Sequence, residues 1–153
     1  MRNVIPAKHW RTLVAPIAAI MGGVLSAPML AQEPRPVTIV GLDYAFQAPD
    51  TLPAGPVIFS LVNRGSVRHE MVFYVLNEGR TLRDYLNAAT AQERQGLGRA
   101  AGLILAEPGQ PALARMVVNL VKGERYVLLC NLRDAPEKPP HNKLGMGKAL
   151  TIK

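Results

Sequence analysis

The chain has 153 residues, 48% of them hydrophobic, with 18 basic and 11 acidic side chains and a formal net charge of +7. This length and composition predict one globular domain with a packed core, and they exclude a disordered chain. Three of the basic residues lie before residue 12, so 15 basic and 11 acidic side chains, a charge of +4, remain after it. Because no aromatic residues are interleaved with these cations, we expect no binding to nucleic acid.

Residues 1–31 have the layout of a secretory signal peptide. Three basic side chains precede an uncharged apolar stretch at 12–25, and small residues follow it as far as Ala31. The apolar stretch is shorter than the roughly 18 to 20 residues that a membrane-spanning helix needs. We therefore predict cleavage after Ala31, with Ala27 as the alternative site. The mature chain, 32–153, is then expected in the bacterial periplasm or outside the cell, without a stable membrane span.

The mature chain contains short runs that are rich in β-branched residues and bounded by turn-forming residues. Such runs predict strands. In chain order, the predicted strands lie at 37–40, 57–62, 67–76, 115–121, 125–130 and 148–152. Short strands at this spacing predict an all-β domain, built as a sandwich or a barrel.

The segment at 81–106, between the third and fourth predicted strands, has a helical pattern instead. Thr81 and Asp84 resemble the capped start of a helix, and apolar side chains recur after them at helical intervals. This pattern predicts a helix at 81–95 and a second, short helix at 100–106. We expect the helical insert to cover one edge or end of the sandwich.

Cys130 is the only cysteine of a chain that is predicted to be exported. Cysteines in an oxidising compartment usually pair, so a single one is a buried inert side chain, an intermolecular disulfide partner or a metal ligand. His141 and Met146 follow it in the same loop, and the other histidine of the mature chain, His69, lies on the third predicted strand. One loop thus offers three candidate ligands, and a rigid strand offers the fourth.

Imidazole, thiolate and thioether groups together suit copper, which accepts two nitrogens and a thiolate in a trigonal plane with a long axial bond to methionine. Zinc accepts the same thiolate and imidazoles but gains little from a thioether. Met146 therefore favours copper. Met71, two residues beyond His69 on the same strand face, is an alternative axial ligand, although we expect it to pack in the core.

The order of these residues resembles that of the cupredoxins, the superfamily of plastocyanin and azurin, and more closely that of small exported copper-binding proteins of bacteria. The matching segments are Asp43-Tyr44-Ala45-Phe46, Leu52-Pro53-Ala54-Gly55, Asn63-Arg64-Gly65, His69-Glu70, Gly123-Glu124-Arg125-Tyr126, Cys130, His141 and Gly145-Met146. The resemblance implies an antiparallel Greek-key β-sandwich with one mononuclear copper site. By the same resemblance, His69, Cys130 and His141 bind the metal and Met146 is the weak axial ligand.

The surroundings of these candidate ligands depart from those in small electron carriers of that superfamily. The loop between Cys130 and His141 is longer, Glu70 stands where a small polar residue steadies the thiolate, and Asn131 replaces an aromatic residue. Metal geometry and redox tuning depend on such neighbours of the ligands.

One-electron transfer through a copper site is the leading functional hypothesis, and no enzymatic activity is expected. The alternatives are copper storage or delivery in the periplasm and a metal-free interaction domain on the same scaffold. Basic side chains in the segments predicted to surround the site favour an acidic redox-partner protein, with ordinary solvation as the alternative. These side chains are Arg64, Arg68, Arg133, Lys138 and Lys143.

Overall fold

Residues 32–153 are described by a computed structural model of the protein. The signal peptide predicted at 1–31 lies outside the described residues, so it stays a prediction. Within 32–153, no helix is both long and apolar enough to cross a membrane.

The described chain folds into two β-sheets that share one core, with two short α-helices and a 3-10 turn. The strands are β1 (Arg35–Leu42), β2 (Ala45–Gln47), β3 (Thr51–Leu52), β4 (Gly55–Asn63), β5 (His69–Leu76), β6 (Gly98–Ala106), β7 (Met116–Leu120), β8 (Arg125–Leu129) and β9 (Gly147–Ile152). The helices are α1 (Leu82–Asn87) and α2 (Ala91–Gln95), and the 3-10 turn is His141–Leu144. One sheet has the strand order β2-β1-β4-β7 and the other β3-β9-β8-β5-β6. This mostly β sandwich confirms the predicted fold class.

Two strand pairings in the described chain are parallel, which the sequence did not predict. β1 pairs with β4 in parallel, and β3 pairs with β9 in parallel. Between β1 and β4 the chain crosses to the other sheet at β3 and then returns, so β4 runs in the direction of β1. The other pairings of named strands are antiparallel, as expected.

The helical insert is more interrupted than predicted. The single helix expected at 81–95 is two helices, because Thr90 begins a second capped turn. The Thr81 and Thr90 hydroxyls accept hydrogen bonds from the backbone N–H groups of Asp84 and Glu93, whose carboxylates accept in return from the threonine N–H groups. Two such capping boxes so close together explain why the helical pattern does not form one continuous helix.

The second helix predicted at 100–106 is wrong, because this segment belongs to strand β6. β6 pairs antiparallel with β5 along the whole length of β5. From Leu103 to Ala106 the side chains alternate between exposed and buried, which is the period of a strand. Pairing with β5 and burial of Ile104 outweigh the helix propensity of the alanines in this segment.

Strand β5 is buried on both faces along its whole length. On the inner face, the Phe73 ring packs 4.8 Å from the Phe59 ring between the two sheets. On the outer face, the Tyr74 ring packs 5.0 Å from Tyr85, which α1 lays over the sheet. Each such burial of a large apolar side chain contributes about 1.5 to 3 kcal/mol. His69, the first residue of β5, is therefore attached to a strand that the core holds from both sides.

Candidate metal centre

The candidate site has two parts. One is His69 at the start of β5, and the other is a loop of residues 130–146, hereafter the ligand loop, which runs from the end of β8 to the start of β9. Four backbone hydrogen bonds fold it back on itself. Cys130 N–H donates to Met146 O at 3.1 Å, Asn142 N–H to Cys130 O at 2.8 Å, Met146 N–H to His141 O at 2.9 Å, and His141 N–H to Leu132 O at 2.8 Å. As a result, Cys130, His141 and Met146 lie side by side although up to 16 positions separate them.

Three of the predicted ligands meet at one buried point. The Nδ1 atoms of His69 and His141 are 3.2 Å apart, and Cys130 Sγ lies 3.3 Å from His141 Nδ1 and 4.0 Å from His69 Nδ1. All three side chains are buried. In both histidines, therefore, the nitrogen that faces the cluster is Nδ1, and Nε2 faces away.

These separations fit a single metal ion. An ion about 2.0 Å from each nitrogen and about 2.3 Å from the sulfur can reach all three donor atoms. The longest separation, 4.0 Å between Cys130 Sγ and His69 Nδ1, is shorter than the two bond lengths combined. Two imidazoles and one thiolate form a set of soft and borderline donors that suits copper.

Met146, the predicted axial ligand, is fully buried next to this cluster. A Cβ added to Gly41 would lie 3.5 Å from Met146 Cε and 3.6 Å from His69 Cδ2. The methionine methyl group and the edge of the His69 ring therefore pack on the same glycine of β1. Coordination by the Met146 sulfur stays a prediction. Met71, the alternative axial ligand, packs in the core between the sheets, as expected.

Burial sets the protonation of the donor groups when no metal is bound. Burial raises the pKa of the Cys130 thiol to about 11, although the Glu70 backbone N–H, 3.4 Å from Sγ, favours the thiolate. Burial, followed by repulsion from His141, lowers the pKa of His69 below its usual value of 6.5. At neutral pH the metal-free site therefore holds a protonated thiol beside an uncharged His69 imidazole.

Two carboxylates, to which the sequence analysis gave no role at the site, lie behind the histidines. Asp134 Oδ1 is 2.9 Å from His141 Nε2, and Asp43 Oδ1 is 3.5 Å from His69 Nε2. The first is a hydrogen bond, whereas His69 Nε2 makes none among the described residues. The sequence does contain one signal for such a carboxylate: Asp134 is an acidic residue inside the ligand loop. Metal-binding histidines usually donate their second N–H to a carboxylate or carbonyl.

Glu70 and Asn131, which depart from the cupredoxin pattern, connect β5 with the ligand loop. The buried Glu70 carboxylate accepts a hydrogen bond from Asn131 N–H at 2.9 Å. Asn131 Oδ1 in turn accepts from Asn142 Nδ2 at 2.6 Å. These hydrogen bonds connect the strand that carries His69 directly with the ligand loop.

The basic side chains expected around the site do not surround an exposed histidine. His141 is only 1% exposed, because the Tyr44 ring packs edge-on against it at 5.1 Å and Asp134 covers Nε2. Arg68 pairs with Glu107 at 2.7 Å, and Lys143 donates to the Leu86 carbonyl. The loop cations are exposed, but the histidines of the site are buried.

No family model and no curated protein matches this chain. Solved structures do match it in fold. Auracyanin B is 19% identical, with 80% of this chain and 91% of that chain covered and a TM-score of 0.52. Dithionite-reduced auracyanin from Roseiflexus castenholzii is 15% identical over 77% and 96% of the two chains, with a TM-score of 0.49. Auracyanin A, described as a "blue" copper protein from Chloroflexus aurantiacus, is 19% identical over 79% and 100%, with a TM-score of 0.47.

The two-sheet topology and the similarity to auracyanin B show that this chain has the cupredoxin fold. The predicted class of fold is therefore confirmed. At this low identity the similarity shows only that the folds are alike, so the chemistry of the site has to be argued from this chain's own residues.

Proposed function

We propose that this protein binds one copper ion through His69, Cys130, His141 and Met146 and carries single electrons. The observation that supports this most is the buried cluster of three donor atoms, all within 4.8 Å of one another, whose separations suit one ion. A thioether packed beside two imidazoles and a thiolate favours copper over zinc.

The way in which the donors are held favours electron transfer over copper delivery. A carrier of electrons works best when the same ligands in the same positions serve both oxidation states. Here His69 starts a strand that is buried on both faces, and backbone hydrogen bonds fix the ligand loop. Delivery requires ligands that a partner can reach and replace, whereas these three are buried. An enzyme requires a coordination position open to a substrate, which burial of the donors also disfavours.

The electrode response of the purified, copper-loaded protein tests this proposal. We expect a reversible one-electron wave, with copper retained through repeated oxidation and reduction in the presence of a competing Cu(I) chelator. Loss of copper to the chelator on each reduction would support delivery instead. A protein that retains no copper in either oxidation state would leave the metal-free interaction domain as the function.

We further propose export and an acidic redox partner for the same protein. Exposed cations in the ligand loop support the partner, namely Arg133, Lys138 and Lys143. Attraction between a basic and an acidic surface accelerates encounter and is screened by salt. Electron-transfer rates with an acidic acceptor should therefore fall as ionic strength rises. Rates that are independent of salt would contradict this assignment.

A further inference from the structure

A two-residue turn, Asp43-Tyr44, reaches the far sides of both histidines. The turn joins β1 to β2. The Asp43 carboxylate faces His69 Nε2 at 3.5 Å. The Tyr44 hydroxyl donates to Asp134 Oδ2 at 2.6 Å, and the other oxygen of Asp134 lies 2.9 Å from His141 Nε2. One turn on the sheet opposite to β5 thus lies behind both His69 on β5 and His141 in the ligand loop.

Tyr44 is held in a conformation that its own preferences disfavour. Its φ is 64°, in the left-handed region that residues other than glycine rarely adopt. This backbone turns the hydroxyl toward Asp134 and packs the ring edge-on against His141, with ring centroids 5.1 Å apart. A Cβ added to Gly145 in the ligand loop would lie 3.2 Å from the Tyr44 carbonyl oxygen. The strained turn therefore fits closely against the loop that carries His141.

The Asp43 carboxylate is also held in place by hydrogen bonds. Its carboxylate accepts hydrogen bonds from Ser66 N–H at 2.8 Å and Ser66 Oγ at 2.7 Å. A Cβ at Gly65 would lie 2.3 Å from Asp43 Oδ1 and 2.9 Å from His69 Nε2. Only a residue without a side chain at position 65 leaves room for the carboxylate and the imidazole to face each other.

We propose that Asp134, Tyr44 and Asp43 form one positioning unit that fixes Nδ1 as the metal-facing nitrogen of His141, places a second carboxylate beside His69, and favours Cu(II) over Cu(I) at the site. This inference rests on the proposed copper function. A carboxylate that accepts a hydrogen bond from Nε2–H holds the ring in place and makes Nδ1 a stronger donor. Two negative charges behind the ligands also favour the more highly charged ion.

The three residues contribute in a defined order. Asp134 contributes most, because it hydrogen-bonds its histidine directly. Tyr44 acts through Asp134, so removing its hydroxyl has a smaller effect. Asp43 contributes least, since its oxygen is 3.5 Å from the nitrogen and makes no hydrogen bond to it.

The central test compares Asp134→Asn with Glu137→Gln. Both variants remove one carboxylate charge from the ligand loop, and Glu137 is exposed. We expect Asp134→Asn to weaken Cu(II) binding about tenfold or more relative to Cu(I) binding. A tenfold change in that ratio corresponds to a rise in reduction potential of about 59 mV. Glu137→Gln should change the potential by much less, and Tyr44→Phe should fall between the two.

A second readout uses the metal-free protein. Nitrogen NMR of the histidine side chains should find His141 with its proton on Nε2 in the parent protein, and this preference should weaken in Asp134→Asn. If the protein fails to bind copper, the proposed function fails while this readout still decides the positioning claim. If Asp134→Asn does not fold, Tyr44→Phe carries both measurements. Equal potentials for Asp134→Asn and Glu137→Gln, or a metal-free His141 protonated on Nδ1, would overturn the proposal.

Discussion

Strand β5 and the ligand loop supply donors to the same cluster but are held in place by different forces. His69 belongs to a strand with apolar packing on both faces. Cys130, His141 and Met146 belong to a loop whose shape depends on hydrogen bonds within the loop and to Glu70. Apolar packing is strong and indifferent to pH, whereas hydrogen bonds are directional and modest in free energy. Damage to β5 should therefore unfold the domain, and damage to the loop should change the site while the sandwich survives.

The largest effect is expected from a cavity under β5. Phe73 is fully buried between the rings of Phe59 and Tyr126, at 4.8 and 5.3 Å. Phe73→Ala should lower the free energy of unfolding of the metal-free protein by about 3 to 5 kcal/mol, measured by denaturant titration. Val117→Ala, at a position that is 64% exposed, is the control and should change it by less than about 0.5 kcal/mol. Equal losses for the two variants would contradict a core centred on β5.

A smaller loss is expected where the strand meets the loop. Glu70→Ala removes the carboxylate that accepts from Asn131 N–H, and a hydrogen bond to a charged group is worth about 1.5 to 3 kcal/mol. We expect that loss in the free energy of unfolding together with faster release of bound copper. Glu78→Ala, at an exposed position just beyond β5, is the matched control. Unchanged copper release in Glu70→Ala would show that this connection does not support the site.

The pH dependence of copper binding should depend on the Cys130 thiol and not on the His69 imidazole. The lowered pKa of His69 means that its imidazole is already uncharged at neutral pH, whereas the Cys130 thiol, with a pKa of about 11, must lose its proton. Raising the pH removes that competing proton, so apparent affinity should rise about tenfold per pH unit between pH 7 and 10. Competition titrations with a metal chelator at several pH values measure this slope. A flat profile would mean that the thiolate is not a ligand.

The smallest effect is expected in the helical insert, which carries none of the donor residues. Thr81 accepts a hydrogen bond from Asp84 N–H and caps α1. Thr81→Ala should cost about 1 kcal/mol of stability, and the copper spectrum should not change. Thr81→Ser, which keeps the hydroxyl, should retain most of the stability. A spectral change in Thr81→Ala would mean that α1 influences the site more than its position suggests.

The sequence could predict the parts of the molecule that depend on local pattern and rare residue types. Alternating and β-branched runs located the main strands, and the scarcity of cysteine and histidine pointed to His69, Cys130 and His141, which the structure brings together. Coordination by these residues and by Met146 is still a prediction, because the observed quantity is the proximity of the donor atoms.

The sequence could not predict features that arise only from tertiary contacts. The segment at 100–106 has helix-favouring alanines, and only its pairing with β5 makes it a strand. Asp43 and Asp134 lie far apart in the chain, and their positions behind the histidines depend on how the β1–β2 turn meets the ligand loop. Tyr44 has a positive φ in the two-residue turn between β1 and β2, and the contacts of its side chain with His141 and Asp134 exist only in the folded chain.

The visible absorption spectrum of the purified protein after stoichiometric addition of Cu(II) tests the central claim most directly. The cluster of Cys130, His69 and His141 predicts an intense thiolate-to-copper charge-transfer band that is absent from Cys130→Ser. A protein that binds no copper, or one whose Cu(II) spectrum is the same with and without the Cys130 sulfur, would contradict it.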